Sequence, residues 1–204
     1  MHRLLDILAS GVHDAKNQLF VAESMIATAE KAHGIDLGEA RYAIEAAAGR
    51  LSRTLTTYRL LRHGASLAIV PTVVADLCEE VKLAQAKHLE QAGIRLGLVC
   101  SVLDEWPLDR DLVGDILNNA VQNAGRHARS RVELSAVLEG GELVLRVEDD
   151  GPGFADPSTA TAGGTGLLVG ERLAALHVRR GRSGALFLSN GGRLGGAVFE
   201  LRLP

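Results

Sequence analysis

The sequence predicts an α+β protein in two parts: a helical hairpin over residues 1–63 that pairs with a second copy into a dimeric four-helix bundle, then an α/β sandwich over residues 64–204. Three observations predict it. Two apolar seams at heptad spacing run through residues 5–61. No proline occurs before Pro71. Beyond residue 65 the apolar pattern changes to short β-branched runs alternating with longer helical ones.

The first seam is Leu5, Leu8, Val12, Ala15, Leu19, Ala22, Ile26 and Ala29, and the second is Leu37, Ala40, Ile44, Ala47, Leu51, Thr54, Tyr58 and Leu61. Only Ala32 to Asp36, with Gly34 inside it, interrupts them. A break that short forces an antiparallel hairpin. One narrow seam per helix buries little by itself. Joining two hairpins completes a bundle, which predicts a homodimer; the alternative is a bundle made with the rest of the chain.

In the second part, Ser66 to Val70 reads as a strand closed by Pro71, because proline cannot donate to a ladder. Val73 to Gln91 reads as a helix, Ile94 to Cys100 as a β-branched and apolar strand, and Asp109 to His127 as a second helix. Arg131 to Val137 and Glu142 to Glu148 form a hairpin turned at Gly140-Gly141. A helix from about Leu167 to Leu176 and strands at Ala185 to Ser189 and Ala197 to Leu203 complete a mixed sheet with helices on one face.

Composition narrows the function. Hydrophobic residues make up 47% and charged residues 23% of 204, enough for a packed core, and the net charge of −3 supplies no basic stripe for nucleic acid. Cys78 and Cys100 have neither metal-ligand spacing nor a disulfide framework, which suits a reducing compartment. No apolar run approaches the roughly 20 residues of a membrane span. Asp6, His13 and Asp14 interrupt any signal-peptide pattern. A cytoplasmic protein is expected.

Four constellations carry chemistry. His13 lies beside the first seam, next to Asp14, with Asn17 one turn further on the same face. An exposed imidazole beside a carboxylate can serve as a nucleophile, or it can simply be solvated. Asn119 and Asn123 are one helical turn apart, and amide oxygens so placed can help hold Mg²⁺, with Arg126 in reach of a phosphate; the alternative is a polar helix face. Asp149-Asp150-Gly151-Pro152-Gly153 follows a strand. Its first carboxylate can accept from an exocyclic amine, and its glycines let the backbone approach a flat ring, though the same letters make a good turn. Gly163-Gly164-Thr165-Gly166 opens a helix, where backbone N–H groups can meet phosphate oxygens; a flexible loop would read the same. No Walker A lysine pattern occurs, so a phosphate site here is not a P-loop.

Together, and in this order, these segments resemble histidine kinases over essentially the whole chain. His13-Asp14 with Asn17 and Leu19 resembles that family's phosphoacceptor box, Asn119 and Asn123 its asparagine box, and Asp149-x-Gly151-x-Gly153 and Gly164-x-Gly166 its two glycine boxes. The ATP-binding fold implied is the one shared with gyrase, Hsp90 and MutL. Gly195 to Pro204 resembles the family's closing strand.

The resemblance implies ATP and Mg²⁺ as cofactors, His13 as phosphoacceptor and Asp14 as its orienting group or general base. It implies Asn123 as main metal ligand with Asn119 as helper, Asp149 on the adenine amine, Gly151 and Gly153 beside the base, and Gly164, Gly166 and Arg126 at the phosphates. Three features depart from the family pattern: Gln18 stands where proline is common, Leu168 replaces a glycine, and the Phe154–Gly163 lid is short with no separate phenylalanine box.

The activity expected is autophosphorylation of His13 and transfer to an aspartate on a response regulator receiver domain, with Asn17 suited to the reverse, phosphatase reaction. Input is expected from a separate sensor or input protein, or from a region outside this sequence. A histidine phosphotransfer protein with a degenerate ATP-binding domain is the alternative. A hydrolytic ATPase is disfavoured, since Asn119 occupies the place of the water-activating glutamate and an amide cannot serve as a base. A serine kinase of the anti-sigma type would lack the heptad hairpin.

Overall fold

The structure, a computed structural model, describes residues 67–157 and 165–204 continuously and, before residue 67, positions 15, 18–19, 21–22, 25–26, 28–30, 32–44, 47–49 and 51. The chain divides into two compact units, Met1–Ala65 and Ser66–Pro204.

In the first unit the described residues between 15 and 33 and between 38 and 51 are helical. The seam positions Ala15, Leu19, Ala22, Ile26 and Ala29 are half-buried, whereas Gln18, Val21, Met25 and Thr28 between them are exposed. That is the burial expected of a helix with one apolar stripe. Gly34 ends the first helical stretch in the left-handed region (φ 64°), its N–H donating to the Glu30 carbonyl at 2.9 Å. The Asp36 carboxylate accepts from Gly38 N at 2.9 Å at the start of the second. Glu30 spans the turn, accepting from Leu37 N at 2.9 Å and pairing with Arg41 at 3.4 Å.

The second unit begins with strand β1 (Ile69–Val73) and helix α1 (Val74–Gln91), then β2 (Arg95–Cys100), β3 (Glu105–Asp109) and α2 (Arg110–His127). The hairpin β4 (Arg131–Glu139) and β5 (Glu142–Asp149) follows, then α3 (Thr165–Ala175), the short strands β6 (Val178–Arg179) and β7 (Arg182–Ser183), and β8 (Ala185–Asn190) and β9 (Ala197–Leu203). Five strands form one sheet in the order β2-β4-β5-β9-β8, with β2 parallel to β4 and the other pairs antiparallel. This is an α/β fold with a mixed sheet, and α1, α2 and α3 pack against it.

Alternation along the strands separates the faces. Val132, Leu134, Leu145, Val147, Leu201 and Leu203 are buried beneath the helices. Each wholly buried leucine contributes roughly 2–3 kcal/mol by its removal from water. The intervening residues carry charge instead. Arg146 binds both oxygens of Glu139, at 2.9 and 2.8 Å, and reaches Glu200 on β9. Gly140 and Gly141 both have positive φ (60° and 80°), as the two-residue turn of the β4–β5 hairpin requires.

The first strand differs from the sequence expectation. β1 runs through Pro71 to Val73 instead of stopping at it, because Pro71 faces Pro107 of β3 in an antiparallel ribbon. Two prolines can oppose one another only at a non-hydrogen-bonded pair, where neither needs an N–H. β3 itself, carrying that proline, has no strand signature, and the β6–β7 hairpin is too short to have one. Cys78 is a wholly buried core residue whose thiol is pushed up to about 12, chiefly by burial, then by Cys100 and Glu79. No helix among the described residues is long and apolar enough to cross a membrane.

Candidate functional site

Helix α2 is fixed at its start by Asp109. One carboxylate oxygen accepts from Leu112 N (3.1 Å), capping the helix, and the other accepts from Ala68 N (2.9 Å). The Asp109 N–H donates to Nε2 of His177 at 3.1 Å. His177 is buried, with Nδ1 placed 3.2 Å from the Leu173 carbonyl, so the neutral Nδ1–H tautomer satisfies both ring nitrogens. Burial holds its pKa below the usual histidine range.

The apolar stripe of α2, Leu112, Val113, Ile116, Leu117, Ala120, Val121 and Ala124, is buried. Asn119, Asn123 and Arg126 follow a second stripe at helical spacing. The adjacent Asn118 is committed to structure: its amide donates to the Gly114 carbonyl at 3.0 Å and accepts from Gln85 at 2.8 Å. Asn119 and Asn123 are half-buried and their side-chain amides make no hydrogen bond to any described residue, so both amides are available to a ligand. Among the described residues no group of three His, Cys, Asp or Glu side chains could hold a metal.

Asp149, at the end of β5, is 2% exposed. Its Oδ1 accepts from Gly151 N at 2.8 Å and Ala197 N at 3.1 Å, and its backbone carbonyl accepts from Gly196 N at 3.0 Å. Oδ2 has no partner among the described residues. A buried carboxylate with one oxygen fixed twice and the other unused is set up to accept from a ligand donor.

The glycines serve close approach. A Cβ on Gly151 would overlap the His127 carbonyl and stand 2.9 Å from Asp149 Oδ1. The asparagine-bearing helix and the Asp149 loop therefore meet at Gly151. Gly153 has φ 79°, and a Cβ there would stand 2.6 Å from Asn190 Oδ1. Asn190 in turn holds Phe154 by both backbone groups: Phe154 N donates to Oδ1 (2.7 Å) and Nδ2 donates to the Phe154 carbonyl (2.8 Å).

Four positions in this arrangement are missed by the sequence reading. Asp150 accepts from the backbone N–H groups of Arg129, Ser130 and Arg131 at 2.8–3.1 Å and from Ser130 Oγ at 2.6 Å, tying the α2–β4 connection to the end of β5. Those bonds, Ser130's hydroxyl first, hold its carboxyl well below the usual range. Asn190 ends β8, Gly196 lies in the β8–β9 connection and Ala197 opens β9, where only the doubled glycine ahead of a strand hints at close packing.

Other expectations fall elsewhere. His13, Asp14 and Asn17 lie outside the described residues, as do Gly163 and Gly164. Gly166 is inside the first turn of α3, which begins at Thr165 instead of Leu167. It is therefore a helical residue, not part of the loop leading into the helix.

Residues 108–204 match the family described as histidine kinase-, DNA gyrase B-, and HSP90-like ATPase. The sensor protein kinase CarS of Pseudomonas aeruginosa is 27% identical over 207 residues, which cover 94% of this chain and 44% of CarS. Sensor protein RstB of Escherichia coli is 36% identical over 112 residues, 48% of this chain and 25% of RstB. The chain thus spans less than half the length of these curated relatives. The structure of Acinetobacter baumannii histidine kinase AdeS has the same fold, with a TM-score of 0.66 at 18% identity, covering 92% of this chain and 95% of that one. Residues 108–204 are thus similar to the domain shared by histidine kinases, DNA gyrase B and HSP90-like ATPases, in a chain similar along nearly all its length to a sensor protein kinase.

Proposed function

We propose that the chain is the catalytic core of a two-component histidine kinase, which phosphorylates its own His13 from ATP and passes the phosphate to an aspartate of a response regulator receiver domain. The observation that carries this reading is Asp149. Its doubly fixed Oδ1 and unpartnered Oδ2 suit the exocyclic amine of adenine, within a domain that matches an ATPase family. Gly151 and Gly153 let the loop after Asp149 pack against the end of α2 and against Asn190, which holds that loop in place.

The unengaged amides of Asn123 and Asn119 suit Mg²⁺, which when bound would offset phosphate charge while keeping water and phosphate oxygens as its other ligands. Arg126, on the same stripe, would add a fixed positive charge. In the transfer, an imidazole nitrogen of His13 forms a bond to the γ-phosphorus as the bond to the ADP oxygen breaks, and Asp14 orients the ring or takes its proton. Asn17, one turn along, suits the reverse task of orienting water against the phosphorylated regulator. Gly163, Gly164 and Gly166 belong beside the phosphates in this reading.

A homodimer through residues 1–63 follows from the seams, and a cytoplasmic location from ATP as phosphate donor. The signal would come from a separate sensor protein or another region of a longer chain. The test is incubation with γ-labelled Mg-ATP. Label that is acid-labile and alkali-stable is expected in the wild type and absent from His13→Gln. Equal labelling of the two would overturn the assignment of His13.

A further inference from the structure

The β8–β9 connection touches the nucleotide site at three points: Asn190 holds Phe154, Gly196 binds the Asp149 carbonyl and Ala197 binds its carboxylate. Its own span is short, closed by a bond from Gly191 N to the Gly196 carbonyl at 2.8 Å. What fixes it lies on the sheet face away from the helices.

Glu133 of β4 and Glu148 of β5 are register partners, and their side chains are only 7% and 6% exposed. Two carboxylates directly opposite each other on adjacent strands repel, and burial strengthens the repulsion. Arg193, at the tip of the connection, resolves it. Its guanidinium contacts Glu133 and reaches Glu148 at 3.5 Å, while its backbone N–H donates to Glu148 at 3.1 Å. Arg131 also serves Glu133, at 2.9 Å, but among the described residues Glu148 has no other cationic partner. Gly192 (φ 59°) lets the chain pass close enough, since a Cβ there would overlap the Glu148 carboxylate and stand 2.7 Å from Val198.

We propose that Arg193 is a positioning residue for nucleotide binding: by bridging Glu133 and Glu148 it holds the β8–β9 connection where Gly196 and Ala197 orient Asp149 and Asn190 anchors Phe154. The inference rests on the assignment of Asp149 to the adenine amine. Glu148 directly precedes Asp149 in β5, so the two carboxylates point to opposite faces of one strand and the connection grips both. Arg193 never meets the nucleotide. Its effect on Asp149 is conveyed through two backbone N–H groups, those of Gly196 and Ala197.

The test is calorimetric titration of the full chain with ADP and with GDP, in the wild type, Arg193→Met, Arg193→Lys and the pair Arg193→Met with Glu148→Gln. Arg193→Met leaves Glu148 opposite Glu133 without a cation, and it is expected to weaken ADP about tenfold and to lower the ADP-over-GDP preference. Glu148→Gln in the same chain removes the repulsion and keeps an acceptor for the residue 193 N–H, so it should restore most of both, and Arg193→Lys should retain them. A simple loss of folded protein would lower the binding stoichiometry without changing the preference. Wild-type affinity and preference in Arg193→Met, or a double variant as weak as the single one, would overturn this inference alone. A wild-type chain that bound no nucleotide would overturn the kinase reading and this inference with it.

Discussion

Gly196 and Asp149 are in direct backbone contact: the Gly196 N–H donates to the Asp149 carbonyl at 3.0 Å, and a Cβ on Gly196 would overlap that carbonyl and the carboxylate Oδ1. It would also stand 2.7 Å from Gly151 N, one of the two donors to Oδ1. Every atom it would strike belongs to backbone or to a held carboxylate, so nothing nearby can yield cheaply. Gly196→Ala is expected to lower stability by about 1–3 kcal/mol, the range for overpacking a closed site. ATP affinity should fall by more than that loss of folded protein accounts for. Thermal melting and nucleotide titration of the same sample measure the two effects separately.

Asp149→Asn follows from how the carboxylate is held. Gly151 N and Ala197 N both donate to one oxygen. In asparagine the amide oxygen must take that place, which puts the NH₂ where Oδ2 was. A donor would then face the adenine amine, also a donor. Affinity for ATP should fall by roughly 10–100-fold, the cost of an unmade bond at a buried polar group. Discrimination against GTP, whose ring presents an acceptor at that position, should fall as well. Unchanged affinity would return Asp149 to a purely structural role at the end of β5.

His177 makes stability sensitive to acid. Its Nε2 accepts the Asp109 N–H in the folded protein, so protonation there would set two N–H groups against each other and charge a buried ring. Burial lowers its pKa below 6.5, with the Leu173 and Ala174 backbone and the Asp109 carboxylate opposing in part. The unfolded chain therefore binds the proton more tightly than the folded one. The contribution is complete above pH 6.5 and is lost as pH falls below that value towards the depressed folded pKa. Melting temperature should drop over this window, and His177→Gln, which titrates no proton there, should show a shallower drop. Parallel melting curves for the two proteins would exclude His177 as the source.

Much of this protein is determined by its sequence alone. The heptad seams require helices with one apolar stripe, and the half-buried Ala15, Leu19 and Ala22 follow that stripe. The period-two runs around Gly140-Gly141 define β4 and β5, and the helical spacing of Asn119 and Asn123 places their side chains together on α2. These features are local: each depends on residues a turn or a pleat apart, and the chain's own geometry fixes them. Tertiary structure alone decided the rest. Pro71 stays within a strand because Pro107, from a distant segment, lies opposite it. Asn118 and Asn119 are identical letters, yet Gln85 approaches from α1 to donate to the first, whose own amide donates to Gly114, while the second is left available. Asp149 is distinguished from Asp150 by what each meets: one is enclosed by Gly151, Gly196 and Ala197, the other by the N–H groups that follow α2. Such differences arise from contacts between segments far apart in sequence, and a hydrogen bond between residues 48 positions apart leaves no periodic trace in the chain that makes it.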